Sequence, residues 1–168
     1  MRRLTHLFLA LEAVALVASP ATAQSKRTYT AQLTGREEVP MRDTRATGHV
    51  NFKLNKEGTE LEYKLVVANI ENVVGAHIHL GARGVNGGVI VTLYGPADPG
   101  GGRKNGVLAE GTITVANLTG DLTGRTLLDL VAAFDAGNAY VNVHTDDGQA
   151  GSGRAGDIPE GEIRGQIH

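Results

Sequence analysis

The stretch Thr47–Leu54 reads TGHVNFKL and alternates apolar with polar side chains. In an extended chain this period of two places Val50, Phe52 and Leu54 on one face and the residues between them on the other. After a short polar stretch, Leu61–Val67 repeats the same alternation. The two segments therefore predict an antiparallel hairpin with one buried face and one solvated face.

Six further segments have the composition of strands and are separated by turn residues. They are Tyr29–Leu33, Ala76–Leu80, Val89–Leu93, Val107–Val115, Ala139–Thr145 and Glu162–Ile167. Short strands at this spacing are typical of all-β domains. We expect an antiparallel β-sandwich or barrel of about eight strands, with a Greek-key-like order.

The glycine content agrees with this fold class, and one segment predicts a short helix. The chain has 168 residues, of which 23 are glycine, and each glycine inside a helix costs roughly 0.5–1 kcal/mol relative to alanine. The predicted helix runs from Leu127 to Ala136, with a capping box formed by Thr126 and Asp129 and a stop at Gly137.

Two glycine-rich segments, Gly95–Gly106 and Asp146–Gly161, are predicted to be long mobile loops because strand-like sequence continues on both sides. The acidic residues of the second segment are Asp146, Asp147, Asp157 and Glu160. They lack the spacing of an EF-hand, so we interpret them as a solvated acidic loop and not as a Ca²⁺ site.

The N-terminus has the pattern of a secretory signal peptide over residues 1–23. Arg2 and Arg3 form a basic region, Leu7–Val17 an apolar run, and Ala21 to Ala23 a small-residue cleavage site. The remaining domain, residues 24–168, is expected to be secreted or periplasmic. The apolar run is short for a membrane span of ~20 residues, so we expect no span after cleavage.

Composition excludes several functions. A formal net charge of −2 gives no basic surface for nucleic acid. The chain has no cysteine and therefore no thiolate ligand or thiol nucleophile. Ser152 lacks the setting of a nucleophile elbow, and the triple glycine at residues 100–102 is not followed by a phosphate-loop motif. We therefore expect a protein that is not an enzyme.

The histidines carry the strongest chemical signal. His77 and His79 are two residues apart, so in a strand they share one face with Cα atoms about 6.6–6.8 Å apart. His144 falls on the polar face of a later strand together with Asn142. If these strands are neighbours, three imidazoles would suit a copper or zinc ion.

The last predicted strand adds Glu162 and Arg164 to the same polar region. Glu162 would be a fourth metal ligand or a hydrogen-bond acceptor that orients an imidazole. Alternatively, Asn142, Glu162 and Arg164 form a structural network with the histidines. In that network Arg164 would pair with Glu162, and the imidazoles would bond to loop carbonyls.

Four ordered blocks of this sequence resemble the CHRD domain, a family named after chordin. The blocks are Tyr29–Gly35 with Glu38–Pro40, Ala76–His79 with the glycines that follow, Gly137–Thr145, and Gly161–Ile167. The resemblance covers about Tyr29 to Ile167. It implies a single-domain secreted protein of bacterial type, mainly β, acting as a non-catalytic binding or structural module with an extracytoplasmic protein or surface partner.

The His-x-His strand and the terminal block also look loosely similar to Cu/Zn superoxide dismutase. On that resemblance His77, His79 and His144 would be ligands, and Arg164 a loose counterpart of an anion-guiding arginine. It implies an alternative function, a copper- or zinc-binding protein through the three histidines with dismutase-like redox activity.

Overall fold

The computed structural model describes residues 27–149 and 151–168, so the predicted signal peptide lies outside the described residues. The described chain contains eight strands, which are β1 Thr28–Thr34, β2 Thr47–Leu54, β3 Leu61–Glu71, β4 Val73–Leu80, β5 Val89–Tyr94, β6 Arg103–Ile113, β7 Ala139–Thr145 and β8 Ile163–Gln166. One α-helix, α1 at Leu127–Asp135, precedes β7.

All eight strands belong to a single antiparallel sheet with the order β5-β4-β7-β8-β1-β2-β3-β6. The sheet curls so that its two edges approach each other, and the Tyr63 hydroxyl on β3 donates to the Leu93 carbonyl on β5 over 2.7 Å. The predicted all-β fold of about eight antiparallel strands is confirmed, in the form of a nearly closed barrel.

The opening hairpin forms as its alternation predicts. β2 and β3 pair in register, with Val50 opposite Leu65 and Phe52 opposite Tyr63. The apolar face of β2 is buried in the barrel interior, while its polar positions are exposed or half-buried. The period-two pattern therefore determined which face of the sheet meets the core.

Helix α1 closes the barrel interior with its apolar side. Its capping box forms as predicted, because the Thr126 hydroxyl accepts from the Asp129 amide and the Asp129 carboxylate accepts from the Thr126 amide. Phe134 from the helix packs against Tyr29 and Phe52, with ring centroids 5.2 and 5.3 Å apart.

The prediction of a loop over Gly95–Gly106 was wrong at its C-terminal end, since β6 already begins at Arg103. Arg103 pairs with Glu71, beyond a bulge in β3 at which Asn69 has a positive φ of 54°. The Asn105 side chain accepts from the Asn69 amide over 2.8 Å. Pairing here depends on backbone and amide hydrogen bonds, so the segment needs no apolar alternation.

The outer face of β7 and β8 is also less exposed than the alternation suggested. Every residue of β8 is buried, and in β7 only His144 is half-buried. Loops fold over this face, and the cover loop, defined as residues 81–88, is one of them. The polar side chains of these strands therefore face a protein interior and not solvent.

Candidate metal centre

Strands β4, β7 and β8 are direct neighbours, and their register brings the predicted polar residues together. Asn142 on β7 lies opposite His77 on β4 and opposite Arg164 on β8. His79 lies opposite Tyr140, one pair further along. The adjacency on which convergence of the histidines depended is therefore present.

His77, His79 and His144 converge on one point. Each offers a ring nitrogen, and these three nitrogens all lie within 4.8 Å of one another. The ring centroid of His77 lies 4.9 Å from that of His144 and 5.8 Å from that of His79. Metal–nitrogen bonds of about 2.0–2.1 Å place two ligands of one ion at most ~4 Å apart, so a small inward adjustment of the rings would complete a shared site.

Loop carbonyls fix the orientation of two of the rings. His79 Nδ1 lies 2.9 Å from the Gly87 carbonyl oxygen, and His144 Nδ1 lies 2.8 Å from that of Pro159. Because a carbonyl only accepts, each Nδ1 carries the proton, and each Nε2 keeps a free lone pair. Nε2 of His79, Nε2 of His144 and Nδ1 of His77 are buried without a hydrogen-bond partner.

Burial favours the neutral form of the three imidazoles. Together with the neighbouring His144 and His79, it lowers the pKa of His77 from 6.5 to about 4. Burial also lowers the pKa values of His79 and His144, against the opposing effects of their bonds to the two loop carbonyls and, for His79, of the Asn142 side chain. Neutral imidazole is the form that binds a metal ion.

A stack of side chains supports His79 from behind. The Tyr140 ring lies parallel to the His79 ring, with centroids 4.9 Å apart and an interplanar angle of 9°. The Arg164 guanidinium lies over Tyr140, 3.3 Å from the ring centroid. A buried cation over an aromatic face is a favourable contact, so Arg164 holds the tyrosine against the imidazole.

Arg164 also holds the cover loop. Its guanidinium donates to the carbonyls of Ala82 and Val85, at 3.1 and 2.9 Å, and to the Asn86 side chain at 3.0 Å. The same loop supplies the Gly87 carbonyl that orients His79. Arg164 thus acts on the histidine cluster through both the tyrosine and the loop.

Glu162 does not reach the imidazoles. It is fully buried, and its carboxylate accepts from the hydroxyls of Thr44 and Thr145 at 2.6 and 2.7 Å and from the Gly156 amide at 2.7 Å. No ion pair joins it to Arg164 within residues 27–149 and 151–168. Its place in the fold is to tie the loop before β8 to β7.

Glu38 is a neighbour of the cluster that the chemical reasoning from sequence did not include. The residue is 6% exposed, and its Oε1 has no hydrogen-bond partner. A Cβ added to Gly161 would lie 2.7 Å from this Oε1 and 2.9 Å from Asn142 Nδ2, so only glycine fits between them. Burial raises the pKa of Glu38 to about 7, although Arg164 and Arg42 oppose the shift.

These features define a class of protein, an all-β domain whose barrel-like sheet carries a loop-covered polar cluster on its outer face. The family model of the CHRD domain matches residues 29–167, and the chain belongs to that family, as the four blocks predicted. No curated protein sequence matches the chain.

Family membership indicates a binding module, and CHRD domains are typically extracellular. Within the described part of the chain, no helix has the length and apolar character needed to cross a bilayer.

Proposed function

We propose that this chain is a non-catalytic binding module that works outside the cytoplasm and holds one copper or zinc ion between His77, His79 and His144. The observation that carries the proposal is the convergence of three ring nitrogens within 4.8 Å, each offered by a neutral imidazole. Family membership supports the binding role and the extracytoplasmic location.

The unpartnered nitrogens favour a metal site over a purely structural network. A buried polar atom without a hydrogen bond costs about 1–3 kcal/mol, and a structural network would be expected to satisfy it. Here the hydrogen bonds to Gly87 and Pro159 use the outer nitrogens and leave the inner ones free. Histidine ligands of metal ions are held by the same arrangement, with one nitrogen on a carbonyl and the other on the ion.

The general order of metal affinities favours copper over zinc at this site. The converging group consists of three imidazoles, and the nearby Glu162 carboxylate is occupied by three hydrogen bonds. Nitrogen ligands of this kind suit both ions, and the general order of affinities places Cu²⁺ above Zn²⁺. We therefore expect Cu²⁺ to bind more tightly than Zn²⁺.

Metal titration of the untagged full chain tests the proposal. After removal of metal with a chelator, calorimetry should show about one Cu²⁺ bound per chain, and binding should raise the melting temperature because the ion binds the native state. His77→Ala and His144→Ala should each abolish binding, whereas His49→Ala, on the outer face of β2, should not. A stoichiometry below about a tenth with no thermal stabilisation would overturn the proposal.

The alternative is a structural cluster in a module that binds an extracytoplasmic protein or surface. The bonds from His79 and His144 to the carbonyls of Gly87 and Pro159 would then serve only to fix the two loops. Failure of the wild-type chain to bind either ion, together with lower stability of His79→Ala and His144→Ala, would favour this alternative.

A further inference from the structure

A second cluster of metal-ligating side chains lies outside the histidine site. Asp146, Asp147 and Asp157 each offer a carboxylate oxygen, and these oxygens all lie within 4.8 Å of one another. Calcium binds oxygen ligands at about 2.3–2.6 Å, so two ligands of the same ion are at most about 4.6–5.2 Å apart. The three carboxylates are therefore already within the distances that one calcium ion requires.

The burial of Asp157 is a separate observation that points to a cation. This residue is 3% exposed, and its Oδ1 is buried without a hydrogen-bond partner. Its other oxygen, Oδ2, accepts from the Ser152 amide. Hydrogen bonds from Ser152, together with a weaker contact from the Asp147 amide, hold the pKa of Asp157 below its usual range, so the group is an anion. A buried anionic oxygen without a partner is costly unless a cation binds it.

No basic side chain supplies that cation. In the part of the chain that the structure describes, the ion pairs are Arg42–Glu160, Lys64–Glu110 and Arg83–Glu37, and none of them includes the three aspartates. The first two carboxylates each accept one local amide bond, from Gly148 to Asp146 and from Gln149 to Asp147, and each keeps a further oxygen free for a metal ion.

We propose that Asp146, Asp147 and Asp157 form a calcium site, distinct from the histidine site in both position and ligand chemistry. A hard cation suits an all-oxygen group, and the imidazole group suits copper or zinc. Backbone carbonyls and water would complete the six to eight ligands that calcium takes. The site does not follow EF-hand spacing because its third aspartate comes from the far end of a glycine-rich loop.

Calcium would join the two ends of that loop. Asp146 and Asp147 stand at its start, Asp157 at its end, and the exposed Arg154 lies between them. Without the ion the carboxylates repel one another across the base of the loop. With it the loop is cross-linked, and cleavage after Arg154 by trypsin should slow.

Calcium titration and limited proteolysis of the full chain test this inference. Calorimetry with CaCl₂ should give about one Ca²⁺ per chain, with a Kd on the order of 0.1–1 mM as in other extracellular modules. Trypsin cleavage after Arg154 should slow about ten-fold in calcium. Asp157→Asn and Asp147→Asn should lose both effects, and Asp121→Asn, in a short 3-10 helix elsewhere, should keep them.

Two further variants distinguish loss of the calcium site from misfolding and from loss of the histidine site. Asp147 is exposed, so Asp147→Asn leaves the fold intact even if the buried Asp157→Asn does not fold. The His77→Ala variant should retain calcium binding, which separates this site from the proposed copper or zinc site. Absence of calcium binding to the wild type at 5–10 times the expected Kd, or equal binding by Asp147→Asn, would overturn the inference.

Discussion

The half-buried His77 of the histidine cluster and the buried Glu38 beside the cluster have pKa shifts of opposite sign. Burial lowers the pKa of His77 from 6.5 to about 4 and raises that of Glu38 from 4.5 to about 7. Between pH 4.5 and 6.5 the folded state of His77 releases a proton that the unfolded state holds, so this group makes stability rise with pH. Glu38 does the reverse over the same interval, because its folded state keeps a proton that the unfolded state releases.

The first prediction follows from this opposition. In metal-free protein, the free energy of unfolding should rise with pH between pH 4.5 and 6.5, because the lowered pKa values of His77, His79 and His144 act together and Glu38 offsets only part of their effect. Glu38→Gln removes the opposing carboxyl and should make stability fall more steeply as the pH decreases through that interval. Urea unfolding at several pH values measures both profiles.

A matched variant checks the source of the effect. Adding His77→Gln to Glu38→Gln should remove part of this pH dependence, since the imidazole with the pKa of about 4 is then absent. Equal pH profiles for the wild type and Glu38→Gln would contradict the assignment.

At the residue scale, sequence reasoning identified the groups with ligand chemistry but not their surroundings. The two-residue spacing of His77 and His79 is enough to put both on one face of a strand. Placing His144 beside these two residues required the further assumption that β4 and β7 are neighbours. The spacing of the histidines in the sequence does not determine that adjacency. Glu38 lies far from these residues in the sequence, and only the folded chain shows that its carboxyl lies beside Asn142.

At the scale of elements, the cover loop fixes the orientation of the His79 ring. A Cβ at Gly87 would lie 1.6 Å from the Leu80 carbonyl oxygen, so only glycine permits the loop to approach β4 this closely. That approach brings the Gly87 carbonyl to His79. The glycines after the His-x-His strand thus have a specific role at this position.

The second prediction concerns Arg164, which binds this loop. Arg164→Gln should weaken Cu²⁺ binding about 10–100-fold, the usual cost of losing a group that supports metal ligands. It should also lower stability by about 1–3 kcal/mol for each loop carbonyl that is left without a donor. Titration calorimetry and urea unfolding measure the two effects.

Arg83→Gln is the control on the same loop. Arg83 pairs with Glu37 at the surface, and exposed ion pairs contribute about 0–1 kcal/mol. This variant should therefore bind copper almost as the wild type does. If both variants bind copper equally well, Arg164 does not position the site.

The strands and the helix could be predicted best where burial of one face requires apolar residues at a regular spacing. The β2 and β3 alternation and the Thr126 cap gave the hairpin and the start of α1 correctly. The first residues of β6 were not predicted to be a strand. They pair with β3 through backbone groups and the Asn105 side chain, so their sequence shows no alternation of apolar and polar residues. The alternation in β7 identified its polar outer face but not the contacts that bury it, because the covering loops come from distant parts of the chain.

At the scale of the whole molecule, the barrel interior and the histidine cluster lie on opposite faces of the sheet. The aromatic core consists of Tyr29, Phe52 and Phe134, with Tyr63 at the edge of the group. Closure of the barrel depends on two edge strands, β5 and β6, whose approach no single segment of sequence encodes.

The third prediction uses this separation. Phe134→Ala should lower the free energy of unfolding by about 3–5 kcal/mol, because it opens a cavity at the centre of the aromatic group. Where the variant remains folded, its copper affinity should match that of the wild type. A large loss of affinity in fully folded Phe134→Ala would show that the core and the cluster are coupled.

The proposed metal site is tested most directly by a crystal structure of the copper-loaded protein, with anomalous diffraction measured at the copper absorption edge. We expect one strong anomalous peak on the outer face of β4 and β7, about 2.0–2.1 Å from a ring nitrogen of each of His77, His79 and His144. Three well-ordered imidazoles with no peak between them, or a peak bound to other residues, would contradict it.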